Sequence, residues 1–158
     1  MSDFYKALAI MSELFSKDYQ FAIATSEDNI PSVRFIDTYF DGKYFYFVSN
    51  EKSQKVKEIR ANPNVALSSR KVHSFCGYAH NIGHPLLQEN NALRETLTKV
   101  FHEWYFEHNN EKEETMCYVR IEPKAGFFHK DGTGYKIDFE NKSVKTFPFD
   151  FTVRLTEE

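Results

Sequence analysis

The sequence has little that would indicate a membrane span or a disulfide framework. It contains only two cysteines, Cys76 and Cys117, and they form no CxxC pair. This spacing argues against a zinc cluster and a disulfide framework, and it predicts that both thiols are core residues in a reducing compartment. No apolar run approaches the roughly 20 residues that a transmembrane helix needs, and the N-terminus lacks the pattern of a secretory leader. We therefore expect a soluble, cytoplasmic protein with no membrane partner.

Charge of one sign is not concentrated anywhere along the chain. The 158 residues include 20 Lys and Arg against 23 Asp and Glu, for a net charge of −3, and the basic residues are scattered. Surfaces that bind nucleic acid cluster basic residues to neutralise phosphates. We therefore expect no nucleic-acid partner, and the length fits a single domain over residues 1–158.

Common catalytic and metal-binding motifs are also missing. No histidine follows His102 at the fourth position, so His102-Glu103 does not begin an HExxH motif. His80 and His84 are four residues apart, but the segment is predicted to be a strand end and a turn. No Ser-His-Asp order, carboxylate pair or reactive-cysteine setting stands out. We predict no metal site and assign no catalytic side chain.

Aromatic residues, by contrast, are abundant. Sixteen Phe and nine Tyr favour a β-rich core. Apolar periodicity and turn residues predict helices at 4–15, 53–61 and 85–107, and strands at 20–26, 30–39, 43–49, 65–69, 73–82, 115–122, 126–129, 135–139 and 143–149. Successive hairpins with few helices between them predict an α+β protein, mainly β, whose antiparallel sheet is closed or nearly closed into a barrel. An open sheet with helices on one side is the alternative.

The third predicted strand and the loop after it have the features of an anion site. If Asp41-Gly42 forms a two-residue hairpin turn, then Arg34 lies opposite Ser49 and their side chains share one face of the sheet. The chain then enters a helix whose predicted N-cap is Ser53. The register therefore predicts that an arginine and a serine meet at the mouth of this loop.

The first turn of that helix strengthens the prediction. The free amides of Gln54, Lys55 and Val56 would lie at the positive end of the helix dipole, where anions bind. Lys55 adds a positive charge at a position where helix electrostatics alone would favour an acid. We predict a phosphate-bearing ligand. The alternative is that Ser53 merely caps a surface helix and Lys55 is solvated, and Glu51 would repel a phosphate if it faced the loop.

These segments resemble the FMN-binding split-barrel family of pyridoxamine 5′-phosphate oxidase and its general-stress-protein relatives. The resemblance runs from about residue 21 to residue 83. It rests on the strand IPSVRFI, the DG turn, the stretch YFYFVSNEKSQKVKEIRANPNVALS and the motif CGYA at 76–79. It implies an antiparallel split β-barrel with flanking helices, forming a homodimer with FMN at the subunit interface.

The resemblance also implies which residues bind the cofactor. Arg34, Ser49, Ser53 and Lys55 would contact the phosphate, and the backbone of Phe35, Ile36 and Val48 would border the flavin ring or ribityl chain. Gln54 stands where the family often has Arg or another polar residue. For Trp104 and Phe128 two positions are open. Each could contact a flavin across the dimer interface, or each could pack in the core.

Two departures from the family limit the expected activity. Pyridoxamine 5′-phosphate oxidase has a glutamine on the fifth strand, where this chain has Val72-His73-Ser74. Its C-terminal Arg and His motif is missing too, because residues 147–155 offer only Arg154. We therefore expect an FMN-dependent oxidoreductase other than that enzyme, using a small-molecule electron donor and acceptor. The alternatives are a flavin-binding stress or sensor protein without efficient turnover, a haem- or deazaflavin-binding relative, and a cofactor-free barrel that acts as a binding module.

Overall fold

The computed structural model describes residues 2–151, and Arg154 lies outside this range. Its strands are β1 (Tyr19–Glu27), β2 (Ile30–Phe40), β3 (Phe45–Asn50), β4 (Asn64–Ser68), β5 (Ser74–Gly83), β6 (Met116–Lys130), β7 (Thr133–Asp138) and β8 (Ser143–Pro148). Its helices are α1 (Asp3–Phe15), α2 (Gln54–Ala61), α3 (Asn91–Val100) and α4 (Tyr105–His108), with a 3₁₀ turn at Gln88–Asn90. No helix in the described range is long and apolar enough to cross a bilayer.

The strands form an antiparallel barrel. Their order is β3-β2-β1-β4-β5-β6, and pairing of β3 with β6 closes the six strands on themselves. β7 and β8 extend the sheet beyond β6 as a hairpin. Closure removes the sheet edges that would otherwise be exposed on these six strands. The structure confirms the predicted mainly β antiparallel barrel with flanking helices, and the open-sheet alternative is wrong.

The turn between β2 and β3 is longer than predicted. The Asp41 carboxylate accepts hydrogen bonds from the amides of Lys43 and Tyr44, at 2.8 and 2.7 Å. This side chain stabilises a four-residue turn, so the last ladder pair is Phe40 with Phe45. β2 and β3 then diverge after only two residue pairs.

The predicted register between Arg34 and Ser49 is therefore wrong. Arg34 lies opposite Ile23 on β1, and Ser49 lies opposite Cys117 on β6. The error arises because a side-chain hydrogen bond adds two residues to the turn, and because β3 changes partner to close the barrel.

Two other predicted elements differ in extent. The strands predicted at 115–122 and 126–129 are one long strand, β6, which passes a bulge opposite Cys76 and Gly77. The helix predicted at 85–107 is broken into the 3₁₀ turn, α3 and α4. At its start the Asn90 side-chain amide donates to the carbonyls of Ile82 and His84, at 3.1 and 3.0 Å. These bonds hold the chain against the end of β5, so the α-helix begins only at Asn91.

The core has two parts. The larger fills the barrel and is covered by α1, which buries Phe4, Ala7, Met11 and Phe15. The smaller lies under α3 and α4 and includes Leu97, Phe101, Tyr105 and Tyr118. Phe128 belongs to the larger core, where its ring stacks on Tyr135 at 4.9 Å.

The two cysteines differ in environment. Cys117 is buried, as predicted, and burial raises the pKa of its thiol to about 12. Cys76 is exposed, so the prediction that both are core residues is wrong for this one. Cys76 lies on the outer face of β5, where side chains alternate between the barrel interior and the surface.

Candidate functional site

A groove runs across the barrel surface between the start of α2, β2 and the segment around α4. A cavity of about 260 Å³ forms one end and a cavity of about 450 Å³ forms the other. The two adjoin, because Val48, Lys55, His108 and Asn109 line both. The smaller end is polar, with Ser49 and Ser53 in its wall, and we call it the polar end. Together the cavities have the size of a small-molecule site.

The other end of the groove, the apolar end, has a different character. Phe35, Ile36 and Trp104 line it, together with Asp37. The groove thus combines a polar end with an aromatic and aliphatic end, and a single lysine lies between them. A ligand that fits both ends would carry a polar or charged group and a flat apolar group.

The hydroxyls at the polar end are held by local structure. Ser53 is the N-cap of α2, as predicted, and its Oγ accepts a hydrogen bond from the Val56 amide at 3.4 Å. Ser49, at the pairing of β3 with β6, places its Oγ 3.2 Å from that of Ser53. The two hydroxyls and the first amides of α2 therefore offer several donors to one anion.

Lys55 supplies an uncompensated positive charge beside these donors. Its side chain is partly buried, and burial together with the nearby Arg34 charge lowers the pKa of its ammonium group. In residues 2–151 no carboxylate lies within ion-pair distance of Lys55. Lys55 and Arg34 are thus neighbouring cations, and Lys55 has no carboxylate partner among these residues. This arrangement favours an anionic ligand in the groove.

Glu51 does not face this groove. Its Oε1 accepts a hydrogen bond from the Asn81 side chain at 3.2 Å, and it lines a separate, open cavity of about 1000 Å³ between α2 and β5. The carboxylate at the polar end of the groove is Glu113, whose Oε2 accepts a hydrogen bond from the Asn50 side chain at 3.1 Å. The larger cavity contains none of the residues predicted to bind phosphate.

Arg34 and Gln54 do not line either end of the groove. The Arg34 Nη1 donates to Thr25 Oγ1 at 2.6 Å, and its Nη2 lies 3.6 Å from Glu58 Oε2. Gln54 Nε2 donates to Glu58 Oε1 at 2.8 Å. The structure thus brings six of the eight predicted residues to the groove wall and places the other two behind it, around Glu58.

The segment between α3 and β6 contributes residues that sequence reasoning missed. His108, Asn109 and Asn110 follow one another along the groove wall. The Trp104 indole donates to Asp18 Oδ2 at 2.8 Å, which ties this segment to the loop after α1. No spacing in the sequence marks these polar residues, because only the folded path of the chain brings them to Lys55.

Asp37 is a second residue without a sequence signal. Burial, and then the charge of Asp18, raise the pKa of its carboxyl to about 6. Trp104 donates to the same Asp18 carboxylate, so Asp18 lies beside two residues that line the apolar end of the groove. In the described part of the chain no group of three His, Cys, Asp or Glu side chains could hold a metal ion.

Comparison with known proteins identifies the class of fold. The model of the pyridoxamine 5′-phosphate oxidase family matches residues 9–130, whereas no curated protein matches the chain. General stress protein 26 of Bacillus anthracis is 14% identical, with a TM-score of 0.56, and the match covers 80% of this chain and 93% of that one.

Two further solved structures share the architecture. A FAD-binding protein of Mesorhizobium loti is 15% identical, with a TM-score of 0.57, and the match covers 75% of this chain and 91% of that one. The haem storage protein HutZ of Vibrio cholerae is 11% identical, with a TM-score of 0.60 and coverages of 73% and 88%. At these identities the likeness shows a common fold.

Proposed function

Because the chain belongs to the pyridoxamine 5′-phosphate oxidase family, we propose that its groove binds FMN, with the phosphate at the polar end and the flavin ring at the apolar end. The observation that carries this proposal is Lys55, a partly buried cation beside Arg34 with no carboxylate partner in the described residues. A phosphate would supply the missing negative charge and accept hydrogen bonds from Ser49 and Ser53.

The apolar end fits a flat ring. It is lined by Phe35, Ile36, Val48 and Trp104. The family resemblance assigns the backbone of the first three to the ring or ribityl chain, and their position in the groove supports that assignment. Phe128 is completely buried in the core, so it has no place in this part of the proposal.

We further propose that the protein is a homodimer. Val33 and Phe35 on β2 are 67% and 60% exposed. They lie beside Ala24 and Ala22 of β1, and the same face continues through Ala66 of β4. We call this the outer sheet face. An exposed apolar surface of this kind suits a second copy of the chain. Because Phe35 belongs to both this face and the groove, the second copy would cover the bound flavin.

The proposed activity is that of a flavin-dependent oxidoreductase, distinct from pyridoxamine 5′-phosphate oxidase, that uses a small-molecule electron donor and acceptor in the cytoplasm. FMN, when bound, supplies the redox chemistry. The chain would bind and orient the cofactor, and His108 and Asp37 line the apolar end of the groove together with Lys55. A flavin-binding protein without efficient turnover, or a haem or deazaflavin carrier, is the competing function.

A visible spectrum of the purified protein tests the cofactor. We expect flavin absorption, or its appearance after incubation with FMN and removal of excess ligand. Parallel incubations with FAD, haem and a deazaflavin test the competing cofactors. A protein that remains colourless with FMN would contradict the proposal. Bleaching by NADH or NADPH and reoxidation by a set of acceptors then separates an oxidoreductase from a flavin carrier.

Substitutions at Lys55, which lines the groove, and at Arg34, which lies behind its wall, test where the phosphate lies. Lys55→Ala and Arg34→Ala should each weaken FMN binding by about 1.5–3 kcal/mol, the scale of charge-assisted hydrogen bonds. Lys57→Ala is the matched control, because Lys57 is on the same helix but lines the separate cavity. Titration of each apoprotein with FMN, followed by flavin fluorescence, gives the affinities. Equal affinities for Lys55→Ala and Lys57→Ala would reject this placement of the phosphate.

A further inference from the structure

Glu58 is a buried carboxylate at the centre of a polar cluster. The residue is 4% exposed. Its oxygens accept hydrogen bonds from Thr25 Oγ1, from Ser32 Oγ at 2.7 Å and from Gln54 Nε2 at 2.8 Å. Arg34 Nη2 lies 3.6 Å away. Three neutral donors and one cation therefore surround a charge that would otherwise be costly to bury.

The charge on Glu58 is maintained across the physiological pH range. Hydrogen bonds from Thr25 and Ser32 lower the pKa of this carboxyl to about 2, against the opposing effect of burial. The cluster therefore contains a permanent anion next to Arg34. An anion here reduces the total attraction of the site for phosphate, so its presence calls for another explanation.

The contacts of Glu58 join the three elements that position the groove. Thr25 lies on β1, Ser32 and Arg34 on β2, and Gln54 in the first turn of α2. Arg34 is fixed twice, because its Nη1 donates to Thr25 and its Nη2 pairs with Glu58. A guanidinium carries five N–H donors, so Arg34 retains donors while its orientation is held.

We propose that Glu58 is a positioning residue of the phosphate site, which fixes Arg34 relative to the first turn of α2 and therefore relative to Lys55. This inference rests on the proposed binding of FMN. Fixing the arginine before the ligand arrives removes the cost of ordering a long side chain on binding. Glu58 and Arg34 both lie outside the two ends of the groove. Arg34 is a charged neighbour of Lys55, which lines both ends, so Glu58 acts through the position of Arg34 and not by contact with the ligand.

The test compares FMN with riboflavin, which has the same ring and ribityl chain without the phosphate. Glu58→Gln keeps the side-chain size but replaces one acceptor oxygen with a donor that faces other donors. We expect Glu58→Gln to weaken FMN binding about tenfold, the effect of losing one charge-assisted contact, and to leave riboflavin affinity unchanged. Equal losses for the two flavins would overturn the proposal.

Two controls separate positioning from general stability. Ser32→Ala removes one donor to Glu58 but no direct contact with Arg34, so it should lower stability without changing the ratio of FMN to riboflavin affinity. The double variant Arg34→Ala, Glu58→Gln should bind FMN no more weakly than Arg34→Ala alone. Additive losses in the double variant would show that Glu58 does not act through Arg34.

Thr25→Val keeps the test decisive if Glu58→Gln does not fold. It removes the hydroxyl that joins Arg34 to Glu58, and we expect a smaller loss confined to FMN. An unchanged ratio of the two affinities in this variant would also overturn the proposal. Absence of FMN binding by the unmodified protein would instead contradict the proposed function, so the two failures are distinguishable.

Discussion

The Asp37 carboxyl makes stability depend on pH at the scale of one residue. Its pKa is raised from 3.8 to about 6 by burial and by Asp18, so between these values the folded chain holds a proton that the unfolded chain has released. Its contribution is fully present below about pH 4 and is lost as the pH rises through 6.

Asp37→Asn should therefore stabilise the protein at pH 7, on the order of 1 kcal/mol after allowance for solvent screening, and leave it unchanged near pH 4. Denaturant unfolding at the two pH values measures the difference. Asp18→Asn removes the neighbouring charge and should flatten the same pH dependence. A gain from Asp37→Asn that is equal at both pH values would show that the effect is not electrostatic.

Gly77 is required by a close approach of two strands. A Cβ at this position would lie 2.2 Å from the Glu122 carbonyl oxygen. This backbone atom cannot move aside as the end of a flexible side chain can. Gly77→Ala should cost about 3 kcal/mol or more, at the upper end for overpacking. In Gly132→Ala the new Cβ meets nothing within 4 Å. The loss of stability then comes only from the positive φ of 82° and should be about 1 kcal/mol. Urea unfolding measures the stability of both variants, and similar losses for Gly77→Ala and Gly132→Ala would contradict this explanation.

Single residues were predicted best where their role is local. Ser53 caps its helix as expected, because an N-cap depends on the three residues that follow it. The environment of Arg34 was not predictable, because Glu58 lies on another element and its helix gives no sign of which strand it faces. Cys76 was misplaced for a similar reason, since the sequence does not show which face of β5 lies against the barrel interior.

At the scale of elements, the N-cap residue of α2 contributes both to the stability of the helix and to the groove. Ser53→Ala should destabilise the helix by about 1 kcal/mol and also weaken FMN, because the same hydroxyl lies 3.2 Å from Ser49. Ser2→Ala is the control, since it removes the N-cap of α1 far from the groove. Thermal unfolding and FMN titration distinguish the two, and FMN affinities that fall equally in both variants would contradict this role of Ser53.

Elements were predicted correctly where periodicity and turn residues agree, as in α1, α2 and the hairpin of β1 with β2. The turn after Phe40 was mispredicted because the Asp41 side chain, and not the Asp-Gly pair alone, determines its length. The helix predicted over 85–107 has a continuous apolar face in the sequence, but Asn90 donates to the carbonyls of Ile82 and His84 at the end of β5 and shortens it. Tertiary hydrogen bonds of this kind leave no periodic signal.

At the scale of the whole molecule, the outer sheet face predicts a dependence of cofactor binding on assembly. Val33→Asp places a charge in the proposed interface, and it should shift the protein towards monomer and weaken FMN together. Leu86→Asp, at a residue that is also exposed but away from this face, is the control. Sedimentation velocity and flavin titration measure the two effects, and a dimeric Val33→Asp variant would reject this interface.

The closure of the barrel has a consequence for how the chain folds. Asn50 pairs with Met116 and Phe45 with Ile121, so the last seam joins segments that are far apart in sequence, and such contacts form slowly because a long loop must be ordered first. Ser49 lies on this seam opposite Cys117, and the polar end of the groove exists only once the seam has formed. A ligand bound there would stabilise the closed barrel and none of its open precursors, so it should slow unfolding while leaving the rate of closure unchanged.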